Sequence, residues 1–342
     1  MNKDEIKKQV EFLKYCLNRR TDQRFRKIVY EIGDDYSIVS LRKNGNVRDL
    51  KPIYFIDLDT TGSGFFSDLI RTLSLIYYAD YYNLVPVVRY SAGFSYAEDH
   101  EVNGTTNPFE YYFEQPGEYD ITTLNNAGCV ISSRKENAAL AGKLNKSGYG
   151  YDYSEEYLME MGRIVDKYIK LNKESKAFVE KEVEKFRNHS VLGVHVRGTD
   201  FKRNYKNHPI YIPCTEYLEK AKELFNDGQY DMVYLATDDT EALELFEETF
   251  GNKLLYCEDV VRSNENETVM KSDENRDNHH YLLGLEVLRD AYCLSRCQGL
   301  VAGVSQVSTA ARIFNRSMAP QDRYLDEIIL FKGINKKGDV CR

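Results

Sequence analysis

The sequence has no tryptophan, no Cys-x-x-Cys pair, no long cationic block and no long uncharged apolar run. Seven scattered cysteines without paired spacing disfavour a zinc site and suit reduced thiols. No window approaches the roughly 18 apolar residues that a transmembrane helix needs. The first residues are charged throughout and lack the apolar segment of a secretory signal. These absences predict a cytoplasmic protein.

A surface for nucleic acid is also missing. The net charge is −8, and the basic residues form no cluster beyond Arg19, Arg20, Arg24 and Arg26. Binding to a phosphate backbone requires many lysines and arginines, so a nucleic-acid partner is disfavoured. Without a transmembrane segment, any contact with a lipid-linked substrate would be peripheral.

What is present suits a soluble enzyme. The 342 residues are enough for two domains, and 42% hydrophobic with 29% charged residues is an ordinary globular composition. The 27 tyrosines suit contact with sugars, because the ring is apolar and its tip is polar, but tyrosine also fills cores. We predict a domain boundary at residue 188, giving an N-terminal domain of 1–188 and a C-terminal domain of 189–342 whose tail could cross back.

The N-terminal half begins with an amphipathic helix predicted over residues 2–19, a candidate peripheral or partner-binding element. A buried strand at 53–58, a glycine-rich turn, a helix to about residue 83 and a strand from residue 85 then predict a βαβ unit. A long loop follows, with its densest aromatic cluster at 107–113. Long loops on a rigid sheet are where we expect a variable substrate to be recognised.

Two features of the turn after residue 58 are candidates for chemistry. Gly62 and Gly64 could present backbone N–H groups to a phosphate or a sugar hydroxyl, or could serve the tight turn alone. Asp57 and Asp59 form an Asp-x-Asp pair that could chelate a metal with a nucleotide, although such a pair often occurs by chance. We expect no metal here.

Beyond residue 188, strands and helices alternate regularly. This alternation predicts a doubly wound, Rossmann-like domain with a parallel sheet. The predicted strands lie at 191–196, 232–236, 254–257 and 300–302, and the predicted helices lie at 215–225, 240–250, 281–297 and 305–316.

Polar residues follow three of these strands. The stretch VLGVHVRGTD (191–200) is an apolar run that ends in His195, Arg197 and Asp200; Asp238 and Asp239 follow the second strand. Ser305 follows the last strand at a helix start. The carboxyl ends of parallel strands meet at one sheet edge, where ligands bind. A guanidinium fork, carboxylates and a helix N-terminus together suit a diphosphate with a ribose nearby, although Asp239 and Ser305 are also good helix caps.

Three of these segments resemble the donor-site motifs of the α1,6-fucosyltransferase group, which includes the bacterial nodulation fucosyltransferases. The segments are residues 193–200, residues 233–239, and residues 290–295 with 305–307. The α1,2- and protein O-fucosyltransferases are more distant relatives. In the N-terminal half the likeness is limited to Gly62-x-Gly64 before a long helix.

The resemblance implies a GT-B-like α/β fold: two Rossmann-like domains, with parallel sheets that face a cleft. The C-terminal domain would bind the donor substrate GDP-fucose, and the N-terminal domain would bind a glycan acceptor. The resemblance further implies a glycosyltransferase of polysaccharide biosynthesis that needs no cofactor. The implied donor-binding residues are His195, Arg197 on the diphosphate, Lys202, Asp238, Asp290 on guanine, Ser305 beside the phosphate, and Gln306.

The assignment of Asp290 also has a chemical reason. Guanine presents two adjacent donors, N1–H and N2–H₂, and a carboxylate accepts both, which adenine cannot imitate. The chain departs from the family at Gly198, where the nearest members have a second arginine; Lys202 or Arg203 could replace it.

A few residues on, the nearest members also have a lysine and a glutamate, where this chain has Phe201-Lys202 and Tyr205. The general base that deprotonates the acceptor is therefore open, with Asp200 and Asp59 as candidates beside Arg197 in the catalytic set. The expected function is inverting, metal-independent transfer of fucose from GDP-fucose to a hydroxyl of a bacterial glycan or glycolipid. The alternatives are a transferase that uses another sugar or a metal, and an inactive glycan- or nucleotide-binding module.

Overall fold

A computed structural model describes most of the chain. The described residues are 3, 6, 10, 39–41, 51–59, 62–127, 129–133, 138–145, 152–203, 205–263, 276–325 and 327–336. The helix predicted over 2–19 lies outside these residues except at positions 3, 6 and 10, which are helical.

Nine strands and eight α-helices are formed by the described residues, numbered here in chain order. The first half contains β1 (Val39–Leu41), β2 (Ile53–Leu58), α1 (Phe65–Tyr81), β3 (Val85–Tyr90), β4 (Cys129–Ser132), α2 (Ala139–Gly142), α3 (Glu155–Tyr168) and α4 (Lys173–Val183). The second half contains β5 (Val191–Val196), α5 (Cys214–Asn226), β6 (Met232–Thr237), α6 (Thr240–Phe250), β7 (Leu254–Leu255), α7 (His279–Ser295), β8 (Gly299–Gly303), α8 (Gln306–Ser317) and β9 (Glu327–Phe331).

The first sheet has the order β1-β4-β2-β3. Strand β2 pairs in parallel with β3 and β4, as the predicted βαβ unit requires, whereas β1 is an antiparallel edge strand. Asn83, with φ of 56°, turns the chain out of α1, and the Leu84 N–H then donates to the Ala79 carbonyl at 2.8 Å. Asparagine is among the few residues that adopt this left-handed conformation readily.

The second sheet is parallel throughout and has the order β7-β6-β5-β8-β9. This is a doubly wound sheet whose strand order reverses between β5 and β8. All six residues of β5 and of β6 are buried, because helices cover both faces of a parallel sheet. The sheet confirms the Rossmann-like prediction and adds β9, which the sequence did not predict.

The two halves share a hydrophobic core, in which side chains of α7 and α8 pack with those of α1 and α3. At Gly162 of α3, a Cβ atom would lie 2.7 to 2.8 Å from the backbone carbonyl and the Cβ of Arg316 in α8. Only glycine fits at such a distance, so the two helix backbones are in direct contact. The strands of the first sheet end at Ser132 and those of the second begin at Val191; the boundary at 188 stays a prediction.

The aromatic cluster at 107–113 lies in this core. Phe109, Tyr112 and Phe113 are at most 2% exposed. Tyr112 stacks on Tyr281 of α7 with ring centroids 5.4 Å apart, and its hydroxyl donates to the Tyr281 carbonyl at 3.1 Å. These rings hold the loop against the second half and do not form a substrate-recognising surface.

Of the helices described, none is long and apolar enough to cross a membrane.

Candidate functional site

The ends of β5 and β6 are locked together at the carboxyl edge of the second sheet. The Thr237 hydroxyl donates to the Val196 carbonyl at 2.9 Å and accepts from the Asp239 N–H at 3.1 Å. Thr237 is buried, so these bonds form away from water and fix the two strand ends. The polar residues that follow each strand are therefore held close together.

Arg197 and Asp238 form an ion pair across these strand ends. The Nη1 of Arg197 donates to Oδ2 of Asp238, whose Oδ1 accepts from the Gly198 N–H at 3.1 Å. The guanidinium also lies over the ring of Phe201, 5.6 Å from its centroid. The Arg197 side chain is 25% exposed, so a fixed cation at this edge is accessible to an anionic ligand.

Asp239 holds a second cation and closes the space beside Gly198. It caps α6 by accepting from the Glu241 N–H at 3.0 Å, and it lies 2.8 Å from Nζ of Lys202. A Cβ at Gly198 would lie 2.3 Å from Oδ2 of Asp239. An arginine at position 198 therefore does not fit unless Asp239 moves, and Lys202 is the cation that this chain places there.

His195 is a buried imidazole, 5% exposed, at the end of β5. Burial, with a further contribution from Arg197, lowers the pKa of His195 to about 4, so the ring is neutral at pH 7. Its Nδ1 has no hydrogen-bond partner among the described residues. A buried polar atom without a partner is costly, and a ligand atom would satisfy it.

Asp290 lies on α7 beneath β6. Its Oδ1 accepts a hydrogen bond from the Tyr234 hydroxyl at 2.9 Å, and Tyr234 is fully buried. Burial raises the pKa of Asp290 to about 6, against opposing effects of Arg289 and Tyr234. The carboxylate is therefore oriented by a residue in the strand that leads to Asp238. Sequence reasoning missed Tyr234, although it belongs to the same motif as Asp238.

Ser305 caps α8 at the end of β8. Its hydroxyl accepts from the Ser308 N–H at 3.1 Å, and the Ser308 hydroxyl in turn accepts from the Ser305 N–H at 3.0 Å. Gln306 begins the helix, and its side chain lies close enough to the hydroxyl of Tyr153 from the first half to interact with it. The N-terminus of α8 thus lies at the point where the strand order reverses, where doubly wound sheets bind ligands.

The glycine-rich turn after β2, a candidate for phosphate or acceptor binding, has free space around both of its glycines. Gly62 has φ of 68°, which favours glycine, and a Cβ at Gly62 or Gly64 would meet nothing within 4 Å. Asp57 is bound by Arg89 through two contacts of 2.8 and 2.6 Å, and the Arg89 guanidinium lies over Phe55. Asp57 is thus in an ion pair with Arg89, and its side chain is 42% exposed.

Of the two candidate bases, the structure describes the side chain of Asp59 alone. Asp59 is exposed just after β2, and none of the described contacts links it to that cluster. Asp200 is in the 3₁₀ turn Thr199–Arg203, and its side chain lies outside what the structure describes.

No group of three or more potential metal ligands occurs within the described residues. The structure therefore brings together the residues after β5, β6 and β8, whereas the assignments of site roles stay predictions.

With this geometry established, the fold can be compared with solved structures. A crystal structure of NodZ α-1,6-fucosyltransferase soaked with GDP-fucose matches 82% of this chain and 95% of its own, with a TM-score of 0.50 and 18% identity. The chain has the fold of this fucosyltransferase. That result confirms the expected GT-B-like α/β architecture.

Other matches are weaker. NodZ from Bradyrhizobium has a TM-score of 0.47 at 18% identity over 77% of this chain and 93% of its own. POFUT1 in complex with GDP has a TM-score of 0.43 at 11% identity over 85% of this chain and 99% of its own. No protein-family model matches the sequence, and no curated protein does so.

Proposed function

We propose that the protein is an inverting, metal-independent glycosyltransferase that moves fucose from GDP-fucose to a hydroxyl of a bacterial glycan or glycolipid. The observation that carries the proposal is the cluster of His195, Arg197, Asp238 and Ser305 at the switch point of the NodZ fold. NodZ was solved after soaking with GDP-fucose. The cytoplasmic location expected from the sequence belongs to this proposal.

The donor would lie along the carboxyl edge of the second sheet. Arg197 would hold the diphosphate, with the N-terminus of α8 supplying further N–H donors. Asp290, oriented by Tyr234, would accept the two adjacent donors of guanine. The orphan Nδ1 of His195 would gain a partner from the nucleotide.

The reaction is a displacement at the anomeric carbon. The acceptor oxygen forms a bond to that carbon as the bond to the β-phosphate oxygen breaks, and the electron pair leaves with GDP. Negative charge grows on the diphosphate, where Arg197 and the α8 N-terminus are already in place. Preorganised groups of this kind commonly supply the largest part of an enzyme's rate enhancement.

Metal independence is supported by two features of the described residues. Arg197 provides a fixed cation for the leaving group, and Asp57 of the Asp-x-Asp pair is neutralised by Arg89. A transferase that uses another nucleotide sugar is the nearest rival. An inactive binding module is the second, and the space filled by Asp239 beside Gly198 favours it, because the second arginine of active relatives is excluded.

The proposal is tested by incubating the protein with GDP-fucose, with and without candidate glycan acceptors, and measuring GDP release. We expect release that continues in EDTA. Loss of release in EDTA, restored by a divalent cation, would contradict metal independence. Turnover of UDP- or ADP-sugars in preference to GDP-fucose would contradict the donor, and no turnover of any donor would favour the binding module.

A further inference from the structure

Asp152 is a carboxylate of the first half that reaches the second half. It lies just before the Ser154 cap of α3, and its Oδ2 is 2.7 Å from Nζ of Lys332. The Asp152 side chain is 14% exposed and that of Lys332 is 50% exposed. The ion pair is therefore largely sheltered on the Asp152 side and open to solvent on the Lys332 side.

The position of Lys332 places Asp152 at the carboxyl edge of the second sheet. Lys332 directly follows β9, whose last residue, Phe331, pairs with Gly303 at the end of β8. Gly303 is two residues before the Ser305 cap. Asp152 thus contacts Lys332, which follows the strand adjacent to β8.

A second contact from the same segment supports this placement. Tyr153, the next residue, lies close enough to the side chain of Gln306, the first residue of α8, to interact with it. Oε1 of Gln306 is buried and has no partner among the described residues. Two consecutive residues of the first half therefore approach the residues that follow β8 and β9, beside a polar atom that lacks a partner among the described residues.

The other acidic residues near this edge belong to the second half, or lie elsewhere in the first. Asp238 is paired with Arg197, and Asp239 with Lys202 and the α6 cap. Asp59 is exposed after β2 of the first sheet, without a described contact to the site. Of the carboxylates compared, Asp152 is the one that the first half contributes to the donor edge.

We propose that Asp152 is the general base of the transfer. The inference rests on the proposed function. The proton of the acceptor hydroxyl passes to the Asp152 carboxylate as the acceptor oxygen bonds to the anomeric carbon, and GDP leaves with the electron pair of the broken bond. A base on the acceptor-side half acts on the face of the sugar opposite the diphosphate, as inversion requires.

A purely structural role makes a different prediction. Glu155 of α3 pairs with Arg316 of α8 at 2.6 Å, and Arg312 lies close enough to interact with both Asp152 and Glu155. If Asp152 acted only through its ion pair with Lys332, removing either residue would have the same effect. A general base is required even when its ion-pair partner is gone.

The test compares Asp152→Asn with Lys332→Met, and uses Glu155→Gln as a matched control from the same ion-pair set. GDP release from GDP-fucose, with water or a glycan as acceptor, gives kcat, and calorimetry with GDP reports the folded donor site. We expect Asp152→Asn to lower kcat by about 100-fold or more, as loss of a general base does, with GDP affinity unchanged. Lys332→Met and Glu155→Gln should keep kcat within about threefold, because each change removes the solvent-exposed partner of an ion pair and such pairs contribute little.

Equal losses of kcat in Asp152→Asn and Lys332→Met, or an Asp152→Asn variant as active as the wild type, would overturn the assignment. Asp152→Glu keeps a carboxylate and should exceed Asp152→Asn in kcat, which tests the role even if the asparagine variant folds poorly. Failure of the wild-type protein to turn over GDP-fucose would count against the proposed function instead. The two failures are thus distinguishable.

Discussion

Gly198→Ala should destabilise the protein and weaken its donor site. The added Cβ would lie 2.3, 2.5 and 2.7 Å from Oδ2, Cβ and Cγ of Asp239, a residue that is 1% exposed. These distances are well inside van der Waals contact, so Asp239 must move. When it moves, it gives up its cap on α6 and its ion pair with Lys202.

The magnitude follows from these losses. Overpacking a well-packed site costs about 1 to 3 kcal/mol, and loss of an N-cap costs about 1 kcal/mol. We therefore expect Gly198→Ala to lower the free energy of unfolding by about 2 to 4 kcal/mol. GDP affinity should fall as well, because Lys202 is held by Asp239, the residue that the methyl group displaces.

The assay is urea unfolding together with calorimetric titration of GDP. Gly142→Ala is the matched control, because a Cβ there meets nothing within 4 Å and the residue ends a helix. It should be neutral or stabilising by up to about 1 kcal/mol. A Gly198→Ala protein with the stability and GDP affinity of the wild type would refute the steric explanation of the missing arginine.

Three further predictions concern donor recognition and pH. Arg197→Ala should lower kcat/KM for GDP-fucose by about 100-fold or more, and near-wild-type activity would remove its role on the diphosphate. Asp290→Asn should weaken GDP much more than UDP in calorimetry, so equal losses would remove its guanine role. Because the pKa of His195 is lowered to about 4, against about 6.5 when unfolded, the unfolded state binds more protons between these values. Stability should then fall by on the order of 3 kcal/mol as the pH drops from about 6.5 to 4. His195→Gln should lose this component in urea unfolding at several pH values, and an unchanged pH profile would contradict it.

The sequence predicts the second half well because its elements are regular. Strands such as β5 and β6 are continuous apolar runs, and each is followed by an amphipathic helix. The two missed strands lack that signal. β1 has only three residues, too few for a periodicity, and β9 is half-buried along its length at the edge of the sheet.

The residues of the candidate site were predictable from the sequence, but the contacts between them were not. The strand ends placed Arg197 and Asp238 at one edge, yet nothing in the spacing showed that Asp238 neutralises Arg197 or that Asp239 fills the space beside Gly198. Such contacts depend on the register between neighbouring strands. The contact between Asp152 and Lys332 was also not predictable, because the two residues are 180 positions apart in the sequence.

The central claim, a donor site for a guanine nucleotide, is tested most directly by the thermal stability of the protein with GDP, UDP, ADP and CMP at equal concentrations. A ligand present at 100 times its Kd adds about 2.7 kcal/mol to the free energy of unfolding. We expect GDP to raise the melting temperature and the other nucleotides to have little effect, with the GDP shift lost in Arg197→Ala. Equal shifts for all four nucleotides, or none for GDP, would contradict the account.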